Sequence, residues 1–235
     1  MNCEEFSNGF DTAIDSYRRF VDFDSKEPLD TLEFNEYEKS VFLTQAQEDL
    51  VISLYSGRNP YGASFEETEE LRRYLDELVK TTVISSFGSS DTIANGQVAS
   101  LPSDLLFIVY EKGTLAEGGD CLTGKSIDIQ PVTHDEFNVV NRNAFRGPGS
   151  TRALRLDMGE SHVELVSKFK LASYIIRYIS RPEPIVLTKL PSGVSIDGVS
   201  EAQSCKLNAV LHSYILGDAI RIALQSRGYS PKPSK

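Results

Sequence analysis

LEFNEYEKSVFLTQAQEDLVISLYSGRNPYGASFEETEELRRYLDEL, from Leu32 to Leu78, reads as two amphipathic helices joined by a short polar loop. Asn35 is placed to cap the first, with Glu38 at the third helical position returning to the cap amide. Tyr37, Val41, Leu50, Val51, Leu54 and Tyr55 fall near helical spacing, and Gly57 offers the left-handed stop. Ser64 and Glu67 make a second capping box, after which Leu71, Tyr74, Leu75 and Leu78 follow the i, i+3, i+4, i+7 rule. The hairpin carries no residue set suited to catalysis. It reads as a packing and assembly element.

Working outward, Phe6, Phe10, Ile14, Tyr17 and Val21 predict an N-terminal helix, with Asp22 to Asp30 as a linker around Pro28. Ser85 to Gln97, rich in Ser, Gly and Asn, reads as a loop into a different architecture. From Leu105 the period changes to that of strands: LLFIVYEKGTL (Leu105–Leu115), SIDIQPV (Ser126–Val132), and ALRLDM with HVELVSKF paired around Gly159-Glu160. SYIIRYIS (Ser173–Ser180) and PIVL (Pro184–Leu187) complete the set. Thr133 and Glu136 frame a box opening a short helix through Asn141. Ser200 and Gln203 frame another, opening a final helix with Leu207, Val210, Leu211, Tyr214, Ile215 and Ile222 inward and Gly228 as its stop. The Pro-rich basic tail YSPKPSK (Tyr229–Lys235) reads as a flexible arm.

The fold class that follows is α+β: an N-terminal helical hairpin, a central mixed or antiparallel β-region and a long C-terminal helix. The boundaries are 1–86 for the helical region, 87–199 for the β-rich region, 200–228 for a helix packing back on the helical region, and 229–235 for the tail.

Four stretches carry a resemblance: NEYEKSVFLTQAQEDLV (Asn35–Val51), SFEETEELRRYL (Ser64–Leu75), HDEFNVVNRNAFRGP (His134–Pro148) and RYISRPEPIVL (Arg177–Leu187). They resemble a structural protein of the crAss-like bacteriophages that infect gut Bacteroides, over most of the chain from Asn35 to about Gln225. None of them is a catalytic motif. The resemblance implies a virion component near the portal vertex, one of the stacked ring proteins linking portal to tail. It also implies a homo-oligomeric, dodecameric ring with the portal protein and adjacent ring or tail proteins as partners.

Length and composition agree with a folded protein that buries a substantial core in one or two domains. The 235 residues are 40% hydrophobic and 25% charged. No run of about 18 apolar residues suggests a membrane span, and MNCEEFSNGFDT lacks the pattern of a signal peptide. A protein made in the bacterial host cytoplasm and incorporated into the virion is the expectation. Cys3, Cys121 and Cys205 are too few and too far apart for a disulfide framework or a CxxC zinc site, and Cys205 reads as a buried thiol. The net charge of −10 is uneven: residues 1–80 hold 19 Asp+Glu against 8 Lys+Arg, while residues 81–235 hold 15 against 16. That split argues against a broad basic face for nucleic acid, and suggests an acidic half able to meet a basic partner.

Gly119 to Ser126 (GDCLTGKS) satisfies the P-loop pattern GxxxxGK[ST]. Phosphate binding at such a loop needs a helix leaving it, so that amides and helix dipole meet the phosphates. Here IDIQPV follows, strand-like and carrying Pro131. A P-loop nucleotide-binding protein is therefore the alternative function, and a glycine-rich hairpin loop the favoured reading. His134-Asp135-Glu136 suits a helix N-terminus better than a metal, because adjacent helical residues splay around the axis. His162 and His212 have no ligand-spaced carboxylate or Cys nearby, and no serine sits in a GxSxG elbow. No catalytic residue, cofactor or metal site is expected, and the protein reads as non-enzymatic.

The one concentrated positive feature is NRNAFRGPGSTRALR (Asn141–Arg155), which holds Arg142, Arg146, Arg152 and Arg155 with Phe145 among them and no acid. Arginine and aromatic residues dominate protein–protein hot spots. Three readings compete: docking on the acidic half of an adjacent copy, contact with packaged DNA in a channel, or an exposed loop whose arginines pair locally. The leading expectation is a phage structural subunit forming a ring at the portal or neck, connecting head to tail and lining or sealing the DNA channel. A third reading is a monomeric virion-internal or scaffold-binding module.

Overall fold

The computed structural model describes residues 1–24, 32–58, 64–65, 67–93, 95–116, 123–159 and 161–229. Its elements run α1 (Cys3–Asp24), α2 (Glu36–Ser56), α3 (Glu69–Tyr74), β1 (Val79–Ile84), β2 (Gly88–Ser89), β3 (Gly96–Ser100), β4 (Leu105–Leu115) and β5 (Ser126–Pro131). Then follow α4 (His134–Asn141), β6 (Arg152–Gly159), β7 (His162–Val166), β8 (Leu171–Ser180) and α5 (His212–Ser226). The chain is α+β. It divides into two compact units, residues 1–77 with 182–235, and residues 78–181. No described helix is long and apolar enough to cross a membrane.

The first unit is helical. Asn35 caps α2 as its sequence requires: Asn35 Oδ1 accepts from Glu38 N at 2.8 Å, and Glu38 Oε2 accepts from Asn35 N at 3.0 Å. Gly57 ends the helix at φ 76°. Leu43, Ala46, Leu50, Val51 and Leu54 of α2 are buried, as are Phe6, Phe10 and Ile14 of α1 and Ile215, Ala219, Ala223 and Leu224 of α5. α5 packs against both α2 and α1. Its end is tied to α2 by Arg227, which pairs with Glu38 at 3.2 Å and lies 5.2 Å over the Phe34 ring.

α2 also buries a polar stripe, Ser40, Thr44 and Gln47, on the i, i+4, i+7 spacing. Thr44 Oγ1 donates to Ile185 O at 3.3 Å and accepts from Ile185 N at 3.1 Å. Ser40 Oγ accepts from Leu187 N at 3.0 Å, and Gln47 Nε2 donates to Glu183 O at 2.8 Å. This stripe explains why Pro184–Leu187 is not the strand its composition predicts. Its backbone is hydrogen-bonded by helix side chains, and among the described residues its sheet-like pairing is a single bridge between Val186 and Gln203.

Other local expectations give way in the same unit. The second hairpin helix begins at Glu69, not after Ser64. Glu67 Oε2 does accept from Ser64 N at 2.7 Å, but Thr68 is extended at φ −126°, ψ 137°. Phe65, buried beside the Tyr55 ring at 6.2 Å, holds the preceding turn. The box at Ser200 and Gln203 does not start a helix: Gln203 pairs with Val186, and a 3-10 turn at Ala209–Leu211 is capped instead by Asn208, whose side chain accepts from Val210 N. Tyr37, Val210 and Tyr214, expected inward, are exposed. α1 runs on to Asp24, into the expected linker, whose remainder lies outside the described residues. Tyr229 belongs with α5 rather than with a free arm: its amide donates to Leu224 O at 3.0 Å and its ring meets Tyr17 edge-on at 6.3 Å. The rest of the tail, Ser230 to Lys235, lies outside the described residues.

The second unit is one mixed sheet of eight strands in the order β1-β8-β4-β5-β6-β7-β3-β2. β5 and β6 run parallel, and every other neighbouring pair is antiparallel. β1 and β3, read as helical or loop from local sequence, are strands. β1 pairs with β8 from Val79–Ile179 to Ile84–Tyr174, and β3 pairs with β7 from Gly96–Val166 to Ser100–His162. One face holds the main core, including Ala99, Ile127, Ala153, Val163, Leu165, Tyr174 and Ile176. The opposite face of β6 and β7 carries a smaller cluster of Leu154, Leu156 and Val166 under Val140 and Phe137 of α4. Period-two alternation alone sends Ala153 and Leu154 to these two faces.

Candidate assembly surface

Between α4 and β6 the chain forms a loop stitched by its own hydrogen bonds. Asn143 Oδ1 accepts from Phe145 N at 2.9 Å and from Arg146 N at 3.1 Å. Gly147 N donates to Asn143 O at 2.8 Å, and Gly149 N to Arg152 O at 2.9 Å. A Cβ at residue 147 would lie 2.7 Å from Asn143 O and 2.9 Å from Asn141 O, so only glycine closes this turn. Arg152 Nη1 donates to Phe145 O at 2.9 Å, bracing the loop from β6. The result presents Phe145 at 92% exposure between exposed Arg142 and Arg146. An aromatic ring left in water this completely costs apolar hydration, and a contact that covers it recovers that cost.

Arg155 does not join them. It is buried in β6, with Nη1 3.0 Å from Glu111 Oε1 and Nε 3.3 Å from Asp157 Oδ1. Tyr174 donates to Glu111 Oε2 at 2.7 Å. Burial pushes the Glu111 carboxyl up, while the Tyr174 hydroxyl and the Arg155 charge hold it down. Burial and the neighbouring carboxylate keep Tyr174 protonated as the donor. The pair joins β4 to β6 on either side of β5, whose ladder with β4 is short, Lys112 to Thr114. Arg155 is a structural clamp. Its partner lies 44 positions away, beyond the reach of local spacing.

Gly119 to Leu122 of the P-loop pattern lie outside the described residues. Its exit is described: Gly124 turns at φ 76°, Leu115 N donates to Lys125 O at 3.0 Å, and Ser126 opens strand β5. A strand stands where phosphate binding needs a helix. Thr133 caps α4 without a side-chain bond to it, and His134 Nε2 meets Asp157 O at 2.8 Å. The Asp135 carboxyl is held down by Thr133 and by its own amide, the electrostatics expected of a helix start. Cys205 is buried against Gln47 Oε1 at 3.1 Å, and burial pushes its thiol up to about 11. Cys121 lies outside the described residues.

Two buried charges escaped the sequence reading. Lys39 is 3% exposed and is held by Asp11 at 2.7 Å, Glu36 at 2.8 Å and Ser7 at 3.2 Å, an ion pair joining α1 to α2. Glu164 is also 3% exposed, in a strand whose other residues are mostly apolar. A charge on the face shared by Val166 and Leu156 is the signal that could have found it.

Comparison with known proteins gives the lineage. The family model for phage tail ring protein 3/4 matches residues 1–233. Ring protein 3 of Bacteroides phage crAss001 is 43% identical over 231 residues, 97% of this chain and 96% of that protein. Ring protein 4/5 of the same phage is 31% identical over 235 residues, 95% of this chain and 92% of that protein. With matches of this reach, the chain belongs to the phage tail ring protein 3/4 family and is a structural ring protein of the crAss-like phages.

Proposed function

We propose that this chain is a non-enzymatic ring subunit of the virion. Copies close head-to-tail into a dodecameric ring at the portal vertex, between portal and tail, around the channel taken by packaged DNA. The observation that carries the reading is the braced loop that holds Phe145 almost fully in water between two exposed arginines, in a family of ring proteins. Closed rings built from one chain use heterologous contacts, in which two different patches of each copy meet. Arg142, Phe145, Arg146 and Arg152 supply one such patch. The excess of acid in residues 1–80 supplies complementary charge elsewhere. One phage carries both a ring protein 3 and a ring protein 4/5 that align with this chain almost end to end. Related subunits in differently numbered rings favour stacked layers in the neck or tail, with the portal and adjacent ring proteins as neighbours.

Electron microscopy of the purified protein and of the particle tests this. The expected result is a closed ring, with density for the chain between portal and tail. A subunit found inside the capsid, or monomeric at assembly concentrations with no ring in the particle, would overturn it.

A further inference from the structure

Between α4 and the turn that precedes β3, a pocket of about 600 Å³ opens over β6 and β7. Ile93, Phe137, Leu156 and Met158 wall it, His134 stands beside them, and Glu164 lines it from β7. Register places Glu164 between Val98 of β3 and Leu156 of β6. The carboxylate is pressed against bare backbone: a Cβ at Gly96 would lie 2.6 Å from Glu164 Oε1. That oxygen is out of contact with water and accepts no hydrogen bond among the described residues.

A carboxylate held this way is costly unless a cation meets it. The walls narrow the choice of cation. Apolar and aromatic side chains suit an aliphatic stem, and an arginine lays such a stem along them while its fork meets the carboxylate from the pocket side, Oε1 itself being closed off against Gly96. Arg142 and Arg146, like Arg58, Arg72 and Arg177, are exposed and form no ion pair among the described residues, but they alone flank an almost fully exposed aromatic ring. Phe145 stands beside Arg146, and the pocket's Phe137 and Met158 are good neighbours for an aromatic ring. Within one subunit the two features stand apart. The pocket is lined by the N-terminal half of α4, whereas the loop leaves its C-terminal end, and eight helical residues span about 12 Å.

We propose that Arg146 of one copy enters the Glu164 pocket of the next, with Phe145 covering the pocket's apolar wall. Loop and pocket are two different patches on one chain, which is what a heterologous ring contact demands. This inference rests on the ring reading above and places the loop's partner at Glu164 of β7 rather than in the acidic residues 1–80.

Glu164→Gln keeps the side chain's shape and removes its charge. The expected result is an isolated subunit at least as heat-stable as the wild type, with assembly shifted to about tenfold higher concentration, the scale of one charge-assisted contact. Arg146→Ala should weaken assembly similarly, and the double variant no more than either single one. A second measurement stands apart from folding effects. Arg146→Cys and Met158→Cys, made as separate proteins in a Cys3→Ser, Cys121→Ser background and mixed, should give disulfide-linked dimers on ring assembly. Rings that assemble normally with Glu164→Gln and give no such dimers overturn the pocket contact and leave the ring reading intact. Additive losses in the double variant also overturn it. A wild-type chain that forms no ring, alone or in the particle, overturns the ring reading itself.

Discussion

Thr44 grips both ends of one residue's peptide groups: its hydroxyl accepts from Ile185 N at 3.1 Å and donates to Ile185 O at 3.3 Å. The two residues are 141 positions apart, and both bonds are buried. Thr44→Val keeps the volume and removes both partners. A buried amide and carbonyl left without hydrogen bonds should cost about 2–4 kcal/mol. Chemical denaturation should show a lower midpoint at unchanged slope. An unchanged midpoint would mean that residues 183–187 are held by their apolar side chains alone.

Leu75 is fully buried at the end of α3. Leu75→Asp places a carboxylate in that fully buried position, so the loss should be about 4 kcal/mol or more. The thermal midpoint reads it directly. Retention of the wild-type midpoint would show that the side chain reaches water.

Arg142→Glu with Arg146→Glu should leave the isolated subunit as stable as the wild type, because exposed charges contribute little to folding. Incorporation into particles should nevertheless fail, since like charges would then meet at the contact. Arg152 is left out of this test because it braces the Phe145 carbonyl. Normal incorporation of the double variant would remove this loop from the assembly surface. Particles that assemble but leak DNA would instead turn it toward the channel.

His212 lies below its ordinary value of 6.5, chiefly because burial disfavours its charged form; the hydrogen bond to the Leu207 carbonyl opposes this, the Met1 amino group adds to it, and Glu5 opposes it more weakly. The folded protein therefore holds a neutral imidazole that the unfolded chain protonates near 6.5. Its contribution to stability is complete above that pH, and is lost as pH falls through 6.5 toward the folded value. Unfolding free energy measured between pH 7.5 and 5.5 should decline, and His212→Gln should flatten the slope. A slope unchanged by that substitution would assign the decline to other groups.

Lys125→Ala should change neither stability nor assembly, and Mg-ATP should not shift the thermal midpoint of the wild type. The residue is exposed in the turn between β4 and β5, and Ser126 begins a strand. Nucleotide-dependent stabilisation that disappears in the variant would restore the P-loop alternative.

What the sequence determined by itself is what depends on near neighbours. The Asn35–Glu38 box and the Gly57 stop lie within one turn of the helix ends they close, and both stand where spacing put them. β4 occupies Leu105–Leu115, and β6 and β7 pair as neighbouring antiparallel strands up to Gly159 and His162 as expected, because period-two alternation is a local property. Tertiary structure alone decided the fates that depend on distant partners. The Val79–Ile84 stretch is a strand because β8, about a hundred residues on, offers it an edge. Gln203 abandons its capping box because its backbone pairs with Val186. Arg155 leaves the arginine loop because Glu111 takes its charge inside the sheet, while Phe145, Arg142 and Arg146 remain in water because no described residue comes to cover them. A helix cap needs a partner three residues away and can be read in a line of letters. A buried charge needs a partner brought by the fold.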